Sequence, residues 1–349
     1  LDAIREELVT SMESTIGPER NLLHAEPESC RQINIKYPVI DNAELAKLRH
    51  VSVSGFRATT LPTTYRLAEG GESLAKAVEE LQQRASLAIA DGYNIVILSD
   101  RMIDHNHAAI PSLLATAAVH HHLVREGTRT RCGLVVETGD AREVHHMALL
   151  IGYGAGAVNP WVAFETLKDM IRQGMLKDLD HARAVTSYIK ALNKGILKVM
   201  SKMGISTLQS YCGAQIFEAV GLDQALVDRY FTWTASRIGG VGMDVIAEGV
   251  RHRHEEAFPD RVTGPPELDW GGEYQWRREG EYHLFNPDTV FKLQHATKVR
   301  RYSIFKEYTS LVDDQNKRRA TLRGLFDFTR TSSPLPLEEV ESVESILAR

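Results

Sequence analysis

The sequence predicts an α/β domain built from mostly parallel βα repeats, related to a TIM barrel in a degenerate or open form. Three observations support this class. Strand and helix patterns alternate at least three times in succession between residues 51 and 174. The strand segments are continuously apolar, as in parallel sheets buried on both faces. The helical segments each end at a glycine. This core is flanked by an N-terminal arm and by a C-terminal extension made of a hairpin and helices.

The first 50 residues form the predicted arm, because a short helical segment is followed there by glycine and proline breakers without a long apolar pattern. A first strand is predicted at 50–62, where β-branched and polar residues alternate. We expect this strand to end at Thr59 and Thr60, directly before the strand breaker Pro62.

The βα repeats come next, and the spacing of apolar residues separates helices from strands. In chain order, the predicted segments are helix 72–92, strand 93–100, helix 110–127, strand 131–139, helix 141–154, strand 155–160 and helix 161–174. Because each strand is followed by a helix and then another strand, parallel pairing through βαβ crossovers is expected.

Beyond residue 180 the alternation is less regular. The predicted segments there are helix 181–204, strand 205–211, short helices 213–221 and 222–231, an antiparallel hairpin 268–285 and charged helices 287–328. A polar, proline-containing stretch then reaches residue 349 and is typical of a linker. The predicted domains are an arm at 1–50, an α/β core at 51–260 and an extension at 261–349.

Composition excludes several classes of protein. The 349 residues are 43% hydrophobic and contain no apolar run long enough to span a membrane. The formal net charge of −5 offers no basic face, so we expect no nucleic-acid partner. Three cysteines far apart in the sequence predict neither a zinc pair nor a disulfide framework and favour a cytoplasmic location. The chain begins at Leu1 without a signal sequence, as a segment of a longer protein does.

Polar side chains collect where the predicted strands end, which is where parallel α/β sheets bind ligands. The set consists of Arg57, Thr59, Thr60, Ser99, Asp100, Arg101, His105, Glu137, Thr138, Asp140 and Asn159. One interpretation is that these groups line a shared functional face. The other is structural: Asp100 pairs with Arg101, Thr138 and Asp140 cap the following helix, and Asn159 makes a turn.

The histidines argue against a metal site. His145 and His146 are adjacent and therefore lie about 100° apart around a helix, so they cannot both face one ion. His122 and Glu126 do have the i, i+4 spacing that places two ligands on one helical face, and His105 and His107 could point the same way if their segment is extended. The glycines at 152–156 follow a helix and precede a strand, which is the reverse of a dinucleotide-binding fingerprint. No base is spaced to activate Cys212 as a nucleophile.

Several of these stretches together resemble the central domain of the large subunit of glutamate synthase. They run in the expected order over nearly the whole chain: "ESTIGPERNLL", "LSDR", "IPSLLATAAVHHHL", "VETGDAREVHH", "LLIGYGAGAVNP", "KGILKVMSKMGISTLQSYCGAQIFEAVGL" and "SRIGGVGMDVIA". The methionine- and glycine-containing motif at 202–215 is the most specific of them.

The resemblance implies a multidomain enzyme that makes two glutamates from glutamine and 2-oxoglutarate. A glutaminase domain would release ammonia, and an FMN domain with an iron–sulfur cluster would use it, with NADPH through a small subunit or ferredoxin as the reductant. This chain has no N-terminal cysteine, no clustered cysteines and no FMN phosphate-binding segment. We therefore expect it to bind no cofactor, to be inactive in isolation, and to contact its own glutaminase and FMN domains.

In this family the central domain helps to form the passage for ammonia. A wall of small neutral groups suits such a passage, since carboxylates would trap ammonium. Thr59 and Thr60 are the passage candidates on that chemistry. The candidates for holding domain interfaces are Asp100, Arg101, Glu137, Arg142 and Glu143. The alternative function is an autonomous βα-barrel enzyme that uses the strand-end Asp, Glu and His side chains.

Overall fold

The computed structural model describes residues 1–2, 4–21, 23–24, 26–67, 70–259, 275–317, 320–326 and 332–349. The chain divides into two compact units, Leu1–Arg261 and Val262–Arg349. The strands are β1 (Ser14–Ile16), β2 (Ile33–Ile35), β3 (Ala58–Pro62), β4 (Thr64–Arg66), β5 (Ile95–Ser99), β6 (His107–Ala109), β7 (Gly133–Glu137), β8 (Ala157–Asn159), β9 (Glu218–Leu222) and β10 (Ala235–Val241).

The helices of the first unit are α1 (Glu6–Val9), α2 (Asn42–Arg49), α3 (Gly70–Ala90), α4 (Ser112–Arg125), α5 (Val144–Gly152), α6 (Trp161–Arg172), α7 (His181–Met203), α8 (Leu208–Tyr211), α9 (Gln224–Tyr230) and α10 (Met243–Ala257). Those of the second unit are α11 (Pro287–Val299), α12 (Tyr302–Lys317) and α13 (Val343–Leu347). No helix in the described ranges is both long enough and apolar enough to cross a membrane.

The centre of the first unit is a parallel four-stranded sheet in the order β3-β5-β7-β8. This order follows the chain, with α3, α4 and α5 as the connections between consecutive strands. Sequential order is the pattern of a barrel wall, whereas doubly wound sheets reverse direction at a switch point. The α/β class and the open, barrel-related form predicted from the sequence are therefore confirmed.

The two faces of the sheet are covered by different parts of the chain. On one face, Val96 and Leu98 of β5 pack in a cluster with α3 and α4, and Val136 and Val158 pack in a cluster with α5 and α7. The alternate residues of the strands, such as Ile97 and Val135, point to the opposite face. There they form a third cluster with four residues of the arm: Ile16, Ile40, Leu45 and Leu48.

The arm is attached to the outer edge of β8 by backbone hydrogen bonds. Ile40 N donates to Val158 O at 3.0 Å, and Val158 N donates to Pro38 O at 2.8 Å. The Ser14 hydroxyl adds a bond to Gly156 O at 2.7 Å. The arm thus provides hydrogen-bond partners for backbone groups at the outer edge of β8, and it also covers one face of the sheet.

The structure differs from the sequence prediction in two places beyond β8. Residues 205–211 were predicted as a strand, but Thr207 caps the short helix α8 by accepting a hydrogen bond from Ser210 N. Residues 213–221, predicted as helical, contain β9 instead. The glycine-rich segment near 236–241 is β10, which pairs in parallel with β9. A Cβ at Gly240 would lie 2.2 Å from Gly221 O, so the close approach of these two strands requires glycine at position 240.

Two further predictions concern strand limits. The first core strand covers only Ala58–Pro62, not the whole of 50–62. Of the predicted hairpin at 268–285, residues 268–274 lie outside the described residues, and 275–285 contain no strand. The second unit consists, in its described ranges, of the packed pair α11 and α12 and short turns that lead to α13.

Candidate site at the carboxyl edge of the sheet

The carboxyl ends of β5, β7 and β8 bring together five polar residues from the set that follows the predicted strands. All five are almost completely buried: Ser99, Asp100, Glu137, Thr138 and Asn159. Their closeness follows from the parallel register, in which Ser99 pairs with Glu137 and Glu137 pairs with Asn159. The five residues are called the edge cluster below.

Glu137 is the centre of the edge cluster. Its side chain is 1% exposed and accepts hydrogen bonds on both carboxylate oxygens. Arg49 and Ser99 donate to Oε2 at 2.5 and 2.6 Å, and Arg101 Nε donates to Oε1 at 2.6 Å. A buried carboxylate requires such charged donors, because burial without them removes its hydration at a large cost in free energy.

Asp100 accepts hydrogen bonds from the loops that follow β7 and β8. Trp161 Nε1 donates to Oδ1 and Gly139 N donates to Oδ2, each at 2.6 Å. Burial raises the pKa of Asp100, and these two hydrogen bonds oppose that rise. The Arg101 guanidinium lies 4.6 Å from the centre of the Trp161 ring, so a cation–π contact connects the Asp100 and Glu137 groups.

The expected local pairing and capping are only partly observed. Arg101 pairs with Glu137 rather than with Asp100. Asp140 accepts from Ser112 N at the start of α4, so it caps a helix that precedes it in the chain. The following helix α5 is capped by a reciprocal pair of Glu143 and His146. The prediction that Asp140 caps α5 is therefore wrong, because chain proximity does not reveal which helix start lies nearest in space.

Asn159 closes the edge cluster against the arm. Its Nδ2 donates to Ile40 O and to Asn42 Oδ1, both at 3.1 Å. Its Oδ1 is buried and has no hydrogen-bond partner among the described residues. The chemistry of the cluster is mainly that of a positioned ion network, in which the carboxylates are occupied by arginine, serine, indole and backbone donors.

The structure places Thr59 and Thr60 in the middle of β3, not at its end. Thr59 is level with Val96 and Thr60 is level with Ile97, so the two side chains point to opposite faces of the sheet. Thr60 is exposed, lies on the face that the arm covers, and accepts a bond of 3.4 Å from Arg49 Nε. The two threonines consequently cannot line the same face of one passage.

The five interface candidates separate into two groups. Asp100 and Glu137 are interior groups whose polar atoms are taken up inside the domain. Arg101, Arg142 and Glu143 are exposed, the last two directly before α5.

The histidines serve as structural groups in the described ranges. His146 Nδ1 accepts from Arg142 N and Glu143 N, and His122 contacts Glu126 at 3.3 Å and Ser86 at 2.9 Å. Within those ranges no group of three or more His, Cys, Asp or Glu side chains could hold a metal ion. The i, i+4 pair of His122 and Glu126 thus forms a side-chain contact on the helix surface.

His120 is held as a neutral acceptor. Arg129 Nε donates to His120 Nδ1 at 3.0 Å, while its other nitrogens donate to Cys132 O and Gly154 O. Burial lowers the pKa of His120 to about 3, and the charges of Arg129 and His121 lower it in the same direction. The arginine therefore joins the end of α4 to two loops.

Sequence reasoning did not find Arg49 or Trp161 as members of this site. Trp161 directly follows Pro160 after β8, so the strand-end rule that selected Asn159 could have included it. Arg49 belongs to the arm, more than 80 residues before its partner Glu137, and periodicity gives no such long-range pairing.

The strand order and the edge cluster define the class: an α/β domain with a partial barrel wall whose strand-end carboxylates are paired within the domain. The family model "Glutamate synthase central domain" matches residues 1–223. The chain belongs to the glutamate synthase central domain family, as the sequence resemblance predicted.

Relatives extend this result over all 349 residues. The NADPH glutamate synthase large chain of Bacillus subtilis (strain 168) is 44% identical over 349 residues, which are 100% of this chain and 22% of that protein. The NADH glutamate synthase of Schizosaccharomyces pombe is 39% identical over 100% of this chain and 17% of that protein. The ferredoxin-dependent glutamate synthase of Pyropia yezoensis is 38% identical, with 100% and 23% covered. The chain thus spans about a fifth of these relatives' length.

Among solved structures, the flavin-binding domain of baker's yeast flavocytochrome b2 is similar over 54% of this chain and 40% of that chain. The sequence identity is 18% and the TM-score is 0.32.

Proposed function

We propose that this chain is the central domain of a complete glutamate synthase that forms two glutamates from glutamine, 2-oxoglutarate and a reductant. The observation that carries this proposal is 44% identity over the whole chain to a relative of which it covers 22%. We assign the glutaminase, FMN and iron–sulfur functions to other parts of that enzyme, in the cytoplasm. The printed names of the relatives include NADPH-, NADH- and ferredoxin-dependent enzymes, so the reductant is either a pyridine nucleotide, with NADPH arriving through a small subunit, or ferredoxin.

The proposed role within that enzyme is a rigid link between the glutaminase and FMN domains. The edge cluster supports it, because ion pairs to a buried carboxylate fix the ends of two strands and the arm relative to one another. Arg101, Arg142 and Glu143 are the proposed contacts to the neighbouring domains, since they are charged and exposed. Asp100 and Glu137 would act indirectly by holding Arg101 and the loop after β7.

The proposed role in ammonia passage rests on Thr60. Its hydroxyl is neutral and exposed on an edge strand, and the neighbouring Arg49 guanidinium disfavours ammonium but not uncharged ammonia. Thr59 points to the opposite face, which α3 covers. One passage can therefore include Thr60 or Thr59, and the chemistry favours Thr60.

A comparison of Thr60→Phe with Thr59→Phe in the complete enzyme tests this assignment. The measured quantity is the ratio of glutamate formed from 2-oxoglutarate to glutamine hydrolysed, together with free ammonia in solution. We expect Thr60→Phe to lower the ratio and release ammonia, while Thr59→Phe leaves the ratio unchanged. The exposed helix residue Thr186 gives a control for a surface phenylalanine. Tight coupling in Thr60→Phe would contradict a passage at this position.

A further inference from the structure

A second candidate site is a cavity of about 330 Å3 that shares no residue with the edge cluster. It lies among the last turns of α4, the end of α5 and the loops at 211–217 and 232–234. Its volume is within the range of pockets that hold small molecules, and its lining is mostly apolar.

The walls of the cavity are aromatic and fixed. Tyr153 stacks on Phe217 with the ring centres 6.1 Å apart, and it meets Phe231 edge-on at 5.4 Å. The Tyr153 hydroxyl is hydrogen-bonded to Thr234 Oγ1 at 2.6 Å, and this hydrogen bond holds the ring in place. Flat rigid walls of this kind are complementary to a flat ligand.

Two polar groups at the cavity have no partner. The side chain of Tyr211 is fully buried, and neither its hydroxyl nor Nε2 of His121 has a hydrogen-bond partner in the described part of the chain. Leaving such groups unpaired costs free energy, so a ligand that supplies the missing bond gains affinity. Burial lowers the pKa of His121 to about 4, and the Arg125 charge acts in the same direction. His121 is therefore neutral near pH 7 and can donate or accept.

Trp233 stands at the mouth of the cavity. It contributes to the lining although its side chain is 82% exposed, and its backbone has a φ of +65°. A left-handed backbone is unfavourable for a large side chain, and stacking on an apolar ligand would remove exposed indole surface from water, which is favourable. Its position suits stacking over a bound ring.

We propose that this cavity binds a flat, uncharged small molecule of about two fused rings that carries one hydroxyl group. The rings would lie between Trp233 and the Tyr153–Phe217 wall, and the hydroxyl would pair with Tyr211 and His121. The charged lining group Arg125 already donates to Thr232 Oγ1 at 3.1 Å and to Arg229 O at 3.3 Å. An anionic ligand that pairs with Arg125 would compete with these two acceptors for the guanidinium donors.

The experiment measures the binding of 2-naphthol to the complete protein that contains this chain, by isothermal titration calorimetry. Naphthalene, which lacks the hydroxyl, and 2-naphthoate, which is charged, are the comparison ligands. Tyr211→Phe removes the proposed partner. Tyr230→Phe is the matched control, because Tyr230 also has a buried hydroxyl without a partner in the described ranges but does not line the cavity. Val124→Trp fills the cavity from a half-exposed position on α4.

We expect 2-naphthol to bind more tightly than either comparison ligand. Tyr211→Phe should weaken its binding about 3- to 10-fold, the value of one net hydrogen bond, with no change in Tyr230→Phe. Val124→Trp and Trp233→Ala should weaken it further. Equal binding by wild type and Val124→Trp, tighter binding of 2-naphthoate, or no 2-naphthol binding because another domain occupies the cavity would each overturn the proposal.

Discussion

At the scale of single residues, Glu137 shows how one buried charge can organise the end of a sheet. It interacts with Arg49 from the arm, Arg101 from the loop after β5 and Ser99 at the end of β5. Removing the charge leaves two cations without their partner, so the penalty comes from the arginines as well as from the lost bonds. Because Arg49 and Arg101 are about one third exposed, water compensates part of that penalty.

The first prediction concerns Glu137→Gln. We expect the free energy of unfolding to fall by about 2 to 4 kcal/mol, since the isosteric amide keeps the volume but not the charge. Urea unfolding followed by circular dichroism measures the change. Glu248→Gln is the matched control, because Glu248 pairs with Arg251 on an exposed helix face, and it should be indistinguishable from wild type. Equal effects of the two substitutions would show that the edge cluster is not a stabilising network.

The second prediction concerns His120 and acid stability. Its folded pKa of about 3 lies below the ordinary value of 6.5, so the unfolded chain binds the proton first as pH falls. Stability is therefore lost between about pH 6.5 and pH 3 and levels off below that range. One excluded proton accounts for about 2 kcal/mol at pH 5.

His120→Gln keeps an acceptor for Arg129 but cannot titrate. We expect the loss of stability between pH 7 and pH 5 to be smaller by about that amount in His120→Gln. His50→Gln, at an exposed position, should keep the slope of wild type. The measurement is the free energy of unfolding in urea at a series of pH values, and parallel curves for wild type and His120→Gln would refute the argument.

At the scale of elements, a glycine allows α7 to pack closely against the start of α5. A Cβ at Gly195 would lie 2.2 Å from Cγ2 of Val144, so the two helices can adopt their present distance only with glycine there. Glycine is otherwise unfavourable inside a helix by about 1 kcal/mol relative to alanine. The close contact outweighs this propensity in the middle of a helix of 23 residues.

The third prediction follows from this contact. Gly195→Ala should lower the melting temperature and cost about 1 to 3 kcal/mol, because the added methyl group forces the helices apart. Gly249→Ala is the matched control in α10, where no atom lies within 4 Å of the added Cβ, and it should stabilise by about 0.5 to 1 kcal/mol. Val144→Ala combined with Gly195→Ala should recover part of the loss. Stabilisation by Gly195→Ala would show that the contact can relax freely.

The elements that the sequence predicted correctly are those in which local pattern and burial agree. The strands β5 and β7 are buried at every position, and α7 has an apolar stripe that ends at Gly204 in the left-handed conformation. The segment 205–222 was assigned wrongly because its residues carry no strong period, and partners distant in the sequence decide their conformation. Ser11 at the arm bridges Thr207, and β9 exists only through pairing with β10.

The same reasoning explains what could be predicted of the site. The strand-end rule identified all five residues of the edge cluster, since a parallel register brings strand ends together whatever the loops do. It could not pair them, because the partners Arg49 and Trp161 arrive from other elements. Nor could alternation alone show that Thr59 and Thr60 lie inside β3, since that requires knowing where the strand stops.

At the scale of the whole molecule, the three apolar clusters all belong to the first compact unit, and two of them include residues of the arm. The fourth prediction compares two truncations. Residues 1–259 should unfold in a single cooperative transition, because they contain every member of these clusters. Residues 50–349 should lose cooperative unfolding, because Ile16, Leu45 and their neighbours no longer cover the sheet.

Differential scanning calorimetry and far-ultraviolet circular dichroism distinguish these outcomes. A cooperative transition in residues 50–349 would mean that the sheet tolerates exposure of the face that the arm covers. Loss of cooperativity in residues 1–259 would place essential stabilising contacts beyond residue 259.

The attachment of the arm to β8 also determines when the arm can make its native contacts during translation. Ile40 leaves the ribosome before its partner Val158, which is made roughly 120 residues later, a delay of about 6 to 24 seconds of translation. During that interval the isoleucines and leucines of the arm have no sheet to cover. The nascent segment is thus exposed to chaperones and to wrong partners, and slower decoding between residues 50 and 158 should lower the yield of native protein more than slower decoding after residue 160.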